Sequence, residues 1–100
     1  MEYEIIWTDP ASEQLEAIHT YIAEDNPRAA QDTVAAIMAS VELLRTTPRM
    51  GSIYRPDGKA AIRKVVSGKY RIFYRVVEES KRVEVLLVWH GSRQEPDLPR

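Results

Sequence analysis

Thr8 to Pro27 reads TDPASEQLEAIHTYIAEDNP, and the way this stretch begins and ends decides the architecture. Asp9 can cap free backbone N–H groups, and Pro10 suits a first helical turn because the donor it lacks has no partner there anyway. Ala11, Leu15, Ile18 and Ile22 then recur at spacings of four, three and four, which places them on one helical stripe. Asn26-Pro27 repeats the start signal, and Ala30, Val34, Ile37, Met38, Val41 and Leu44 mark the buried face of a second helix. Thr47-Pro48 stops it, since the residue before a proline is pushed out of the α region. Two amphipathic helices joined by so short a turn form an antiparallel hairpin.

On the N-terminal side, Tyr3–Trp7 is short, β-branched and aromatic, and predicts a strand. On the C-terminal side, Pro48 to about Lys59 is expected to be a loop, with Gly51, Pro56 and Gly58 in it. The period then changes to two. Strands are expected at Ala61–Val66, Lys69–Val77 and Arg82–Trp89, joined by turns at Ser67-Gly68 and Glu78–Lys81. Tyr70, Ile72, Tyr74 and Val76 should share one face, and Lys69, Arg71, Phe73, Arg75 and Val77 the other. In the last strand the alternation groups Val83, Val85, Leu87 and Trp89 against Arg82, Glu84, Leu86, Val88 and His90. The expected fold is α+β: an N-terminal strand, an antiparallel two-helix hairpin, then a three-stranded antiparallel meander covered on one face. The other face, with Arg71, Arg75 and possibly His90, should stay uncovered and carry function. Residues 1–93 make one domain, and Gln94–Arg100 a C-terminal tail.

Composition removes several classes of function. The 100-residue chain has no cysteine, which excludes disulfides, thiol catalysis and thiolate metal sites. Two histidines, His19 and His90, lie far apart with no third ligand, so no metal is expected. His19 reads as a helix-surface residue. No apolar run approaches the roughly 20 residues of a membrane span, and the acidic start, Met1-Glu2-Tyr3-Glu4, is not a secretory signal; the expected compartment is the cytoplasm. No glycine-rich phosphate loop, nucleophile motif or carboxylate pair appears, so neither a cofactor nor a small-molecule ligand is expected. Net charge is −1, but residues 1–50 hold three basic residues against nine acidic ones and residues 51–100 eleven against six. Gly51–Arg75 alone has seven basic residues against Asp57. That asymmetry fits an anionic partner, and equally a solvated sheet surface.

Several stretches resemble the RelE/ParE toxin superfamily, its ParE-like branch above all. They are Trp7-Thr8-Asp9-Pro10-Ala11 with Leu15, Tyr21–Pro27, Pro48-Arg49-Met50-Gly51, Arg63-Lys64-Val65-Val66, Tyr70–Val76 and Trp89-His90-Gly91-Ser92-Arg93. The resemblance runs from about Ile5 to Arg93. It implies the toxin of a type II toxin–antitoxin system, a growth inhibitor with a role in stress response. The antitoxin would be a ribbon-helix-helix, ParD-like protein that wraps the toxin, and operator DNA would be bound only through that antitoxin. Leu15, Ile22, Met38 and Val41 are the candidate antitoxin contacts on the helical hairpin.

Two targets follow from the resemblance. ParE-like members poison DNA gyrase without catalytic residues of their own, whereas RelE-like members cleave mRNA in the ribosome. The candidate target-binding residues are Arg49, Arg63, Lys64, Arg71, Arg75 and Arg93. In a nuclease, Arg71 would meet the scissile phosphate with Arg63 nearby, and His90, the one strand residue that titrates near neutrality, would move the proton. The bland alternatives are an Arg71 paired with Glu84 across the sheet and a His90 that caps a strand end. Trp7 and Trp89 read as core aromatics. Three features favour the gyrase-type binder: a pI of about 6.1, Gly91 where nucleases carry an aromatic after the histidine, and Lys59 as the single lysine of the loop.

Overall fold

A computed structural model describes residues 2–58 and 60–91; the expectations placed on Lys59, Arg93 and the tail lie outside them. The chain runs β1 (Glu4–Trp7), α1 (Asp9–Ala23), α2 (Pro27–Glu42) and a short 3-10 turn (Leu43–Arg45). It continues through β2 (Ser52–Asp57), β3 (Ala60–Ser67), β4 (Tyr70–Val77) and β5 (Arg82–His90). Among the described residues the strands make one sheet in the order β1-β5-β4-β3-β2. β1 runs parallel to β5 and every other pair is antiparallel, so the sheet is mixed. The α+β class, the hairpin and the meander are as the periodicity predicts.

Both helices start where proline and a short polar side chain predict. The α1 cap is Thr8 rather than Asp9: its hydroxyl accepts from the Ala11 N–H and also donates to the Val85 carbonyl at 2.7 Å. One oxygen thus closes the helix and ties it to β5. Asn26 caps α2 by accepting from the Ala29 N–H at 3.1 Å.

Three expectations need correction. Ser52–Asp57 is a strand, not a loop. Pro56 obscures it in the sequence, and its alternation is broken by an irregularity between Ile53 and Arg55, but β2 is an edge strand, where a missing donor is tolerated. The turn expected at Ser67-Gly68 is Gly68-Lys69, because Ser67 still pairs with Tyr70, and Gly68 supplies the positive φ of 58° that such a tight connection needs. The third correction matters most. Phe73 pairs with Leu87 but Tyr74 with Val85, which leaves Leu86 as an extra residue in β5. The inward–outward alternation of β5 therefore reverses at this bulge. Val83 and Val85 share a face with Val88 and His90, while Leu87 and Trp89 join Arg71 and Phe73 on the other.

The helices pack on the first of these faces. Ala11, Ile37, Val41, Ile72, Val85 and Val88 form its buried centre, with Trp7, Leu15 and Ile18 packed around them. Leu44, Tyr74, Val76 and Val83 continue the core towards the 3-10 turn. The opposite face is not bare. Ile62, Phe73, Leu86 and Leu87 are buried there beside Tyr54 and Trp89, and the Tyr54 and Phe73 rings meet edge-to-face at 4.9 Å.

Candidate functional site

The described candidate target-binding residues fall on β3 (Arg63, Lys64), β4 (Arg71, Arg75) and the loop before β2 (Arg49). On the face away from the helices, Arg75 spans three strands. Its guanidinium donates to Asp57 of β2 at 2.6 Å and to Glu84 of β5 at 3.0 and 3.1 Å. All three side chains are largely sheltered, between 15% and 26% exposed. Asp57, and after it Glu84, raise the already high pKa of the guanidinium further. The expected partner of Glu84 was Arg71; the register gives Glu84 to Arg75 and sets Arg71 between Trp89 and Val66. Lys64 lies on this same face, opposite Phe73.

Arg63 points to the other side, since its partner across the ladder is Tyr74. It donates to the carbonyls of Gly51 at 2.9 Å and Arg49 at 3.3 Å. The buried Tyr74 hydroxyl donates to the Pro48 carbonyl at 2.7 Å and accepts from the Gly51 N–H at 3.0 Å. Together they pin Pro48–Gly51 onto the sheet. Burial pushes the Tyr74 phenol above its usual pKa, against the downward pull of the Gly51 N–H. Gly51 is required by space: a Cβ there would lie 2.7 Å from both the Lys64 carbonyl and the Tyr74 hydroxyl. Arg49 reaches Glu78 at 2.6 Å, and Glu78 also accepts from Lys81 and from the Tyr3 hydroxyl at 2.8 Å. Lys81 first, then Arg49 and Tyr3, hold the Glu78 carboxyl down at about 2.

His90 ends β5 on the helix side. Its ring meets Tyr70 edge-to-face at 5.3 Å, and the chain is fixed just beyond by the Gly91 N–H donating to the Lys69 carbonyl at 2.8 Å. It therefore does not join Arg71 on the open face, as one of the expectations had it. His90 lines a groove of ≈ 980 Å³ between the helical hairpin and the β3–β4 turn, together with Ile18, Tyr21, Ile22, Ala36 and Tyr70. Of the four candidate antitoxin contacts, Ile22 borders this groove and Met38 is 40% exposed elsewhere on α2. Leu15 packs against the core, and Val41, 1% exposed, is withdrawn as a contact because it has no surface to offer. Tyr21, 74% exposed, was missed; it sits one residue off the buried stripe and so reads as neutral helix surface.

His90 and Arg71 set out from opposite faces of one sheet. No group of three candidate metal ligands occurs among the described residues, and no helix is long and apolar enough to cross a membrane.

Residues 5–95 match the family described as the ParE toxin of type II toxin–antitoxin system, parDE. A curated Sinorhizobium fredii protein named "Putative toxin Y4kP" is 36% identical over 96 residues, 94% of each chain. Among solved structures, the chromosomal ParDE TA system from P. aeruginosa superposes with a TM-score of 0.70 at 23% identity, covering 89% of this chain and 96% of that one. The RelBE2 toxin–antitoxin complex from Mycobacterium tuberculosis gives 0.64 at 25% identity, over 90% and 99% of the two chains. The RelE–RelB complex from Pyrococcus horikoshii gives 0.69 at 16%, over 93% and 99%. ParDE and RelBE chains superpose about equally well, so the fold alone does not choose between their targets.

Proposed function

The chain belongs to the ParE toxin family of type II toxin–antitoxin systems, and from that premise we propose that it inhibits growth by binding DNA gyrase, without a catalytic step of its own. The observation that supports binding over cleavage is the bulge at Leu86, which sends His90 and Arg71 to opposite faces. A ribosome-dependent nuclease of the RelE kind would need a proton-transferring group and a charge-stabilising group on one side of the scissile phosphate. A cognate antitoxin, of the ribbon-helix-helix ParD-like kind, neutralises the toxin. The solved relatives include toxin–antitoxin complexes, and the groove bordered by Ile18, Tyr21 and Ile22 offers a helix-sized apolar seat.

The toxin should act in the cytoplasm, through the basic surface of the sheet. Lys64 and Arg71 on the open face, with Arg93 beyond the described residues, are the target contacts. Arg75 shapes that surface while engaged by Asp57 and Glu84, whereas Arg63 and Arg49 lie on the other side, engaged by loop carbonyls and by Glu78 respectively. The test is a pair of assays on purified toxin: gyrase supercoiling and DNA cleavage in one, mRNA cleavage on translating ribosomes in the other. Inhibition of gyrase, relieved by the antitoxin, with intact mRNA is the expected result. Cleaved mRNA with unaffected gyrase would replace this reading with the nuclease.

A further inference from the structure

Asp57-Gly58, where β2 ends, is the one place in the chain where an aspartate precedes a glycine. That dipeptide carries a reaction of its own. The amide nitrogen after an aspartate can attack the side-chain Cγ and close a five-membered succinimide ring, and glycine alone puts no side chain in the way. The other aspartates are worse placed. Asp9 precedes Pro10, whose nitrogen has no hydrogen to give up, and Asp25, Asp32 and Asp97 precede Asn26, Thr33 and Leu98, whose side chains crowd the attack. Gly58 is exposed, and among the described residues nothing beyond its chain neighbours lies within 4 Å of where a Cβ would stand, so a ring has room.

Two contacts oppose closure. Asp57 pairs with Ala60 on the β2–β3 ladder, and ring closure needs Cγ and the Gly58 nitrogen nearly eclipsed about the Cα–C bond, which an extended residue does not allow. The second contact is the sheltered ion pair, in which the Asp57 carboxylate accepts from the Arg75 guanidinium at 2.6 Å. A carboxyl must be neutral to lose water, so the ion pair and the ring exclude each other. Arg75 is itself held in place, because Glu84 accepts from its other nitrogens at 3.0 and 3.1 Å.

We propose that Asp57-Gly58 is a site of spontaneous isoaspartate formation and that Arg75 sets its rate. In the first step the bond from the Gly58 nitrogen to Cγ forms, and the amide hydrogen leaves with the carboxyl hydroxyl as water. In the second step water adds back to the ring. Opening at Cγ restores aspartate, whereas opening at the main-chain carbonyl leaves Gly58 joined through Cγ and frees the α-carboxylate. The net change is an isomerisation that consumes no oxidant or reductant. Its product has a main chain one atom longer at residue 57, and a carboxylate attached one bond closer to that chain. Arg75 is then left with Glu84, and the edge strand β2 loses its side-chain tie to β4 and β5 at this end. The inference does not depend on gyrase being the target.

The test is to age purified full-length protein at physiological pH and temperature. Isoaspartate is then located by peptide mass spectrometry and counted by methyl transfer from S-adenosylmethionine with an isoaspartyl methyltransferase. In wild type it should appear at residue 57 ahead of every other aspartate. R75Q should form it about ten- to a hundredfold faster, as release of a hydrogen bond between charged groups implies. R75K, which keeps a cation, should fall between the two. E84Q removes the other partner of Arg75 but spares the pair with Asp57, so it should age like wild type; it guards against an effect of a loosened sheet. Isoaspartate absent from residue 57 in R75Q, equal rates in R75Q and wild type, or equal acceleration by E84Q would each overturn the proposal.

Discussion

Replacing Tyr74 with phenylalanine removes a single oxygen, and the structure fixes what that oxygen was doing. It donates to the Pro48 carbonyl and accepts from the Gly51 N–H from a buried position, joining the end of the helical layer to the sheet. The ring fits unchanged, so no cavity forms and the loss is one of polar satisfaction. An unsatisfied buried donor or acceptor costs about 1–3 kcal/mol, and this loop lies close enough to the surface for water to reach part of it. The expected cost for Tyr74→Phe is about 2 kcal/mol. In a domain of this size that lowers Tm by roughly 8–16 °C, at about 4–8 °C per kcal/mol. Circular dichroism melts at neutral pH measure it directly. There is also a pH signature. Burial raises the pKa of Tyr74 in the folded protein above 10.0, so the stability it contributes is complete below that value and is lost as pH rises through the higher, folded one. Wild-type protein should weaken in that alkaline window, and Tyr74→Phe should lose this component. A variant as stable as wild type at neutral pH would show that the Pro48–Gly51 loop is not held by this hydroxyl.

Gly51→Ala should destabilise by about 1–3 kcal/mol, because the added Cβ meets backbone at the Lys64 carbonyl as well as the Tyr74 hydroxyl; urea unfolding checks it, and a neutral effect would mean that the loop shifts freely. Glu78, held at about 2 against an ordinary 4.5, contributes stability that is present above 4.5 and lost as pH falls towards 2. Glu78→Gln should flatten the melting-temperature profile across that window, and an unchanged profile would count against the Lys81–Arg49–Tyr3 cluster. In cells, His90→Gln should stay toxic, while charge reversal at Arg71 should weaken toxicity. A folded His90→Gln protein reduced by the 10²–10⁴-fold typical of a lost acid–base group would favour the nuclease.

The helical hairpin was legible because two Asn/Asp-Pro starts and a four-three-four stripe each report a local rule. β2 was not, because an edge strand with a proline and a broken alternation carries little of the period-two signal. The candidate site was legible as a set of arginines on strands but not as an arrangement. The pairing of Arg75 with Asp57 depends on which strands become neighbours, and that is a tertiary fact. The face of His90 hung on one extra residue in Val85–Val88, where four apolar side chains in a row hide any change of phase. Val41 was assigned to a partner because a helix stripe does not say which of its apolar members the molecule itself covers.

That extra residue makes β5 a device of parity. Everything before Leu86 is counted from one end of the strand, and everything after it is counted anew. A regular ladder over the same residues would set Leu86 opposite Phe73 and Val88 opposite Arg71, bringing His90 to the face of Arg71 and Trp89 to the helix side. One unpaired residue thus chooses between two chemically different sheets built from the same chain, without a new side chain having to be invented.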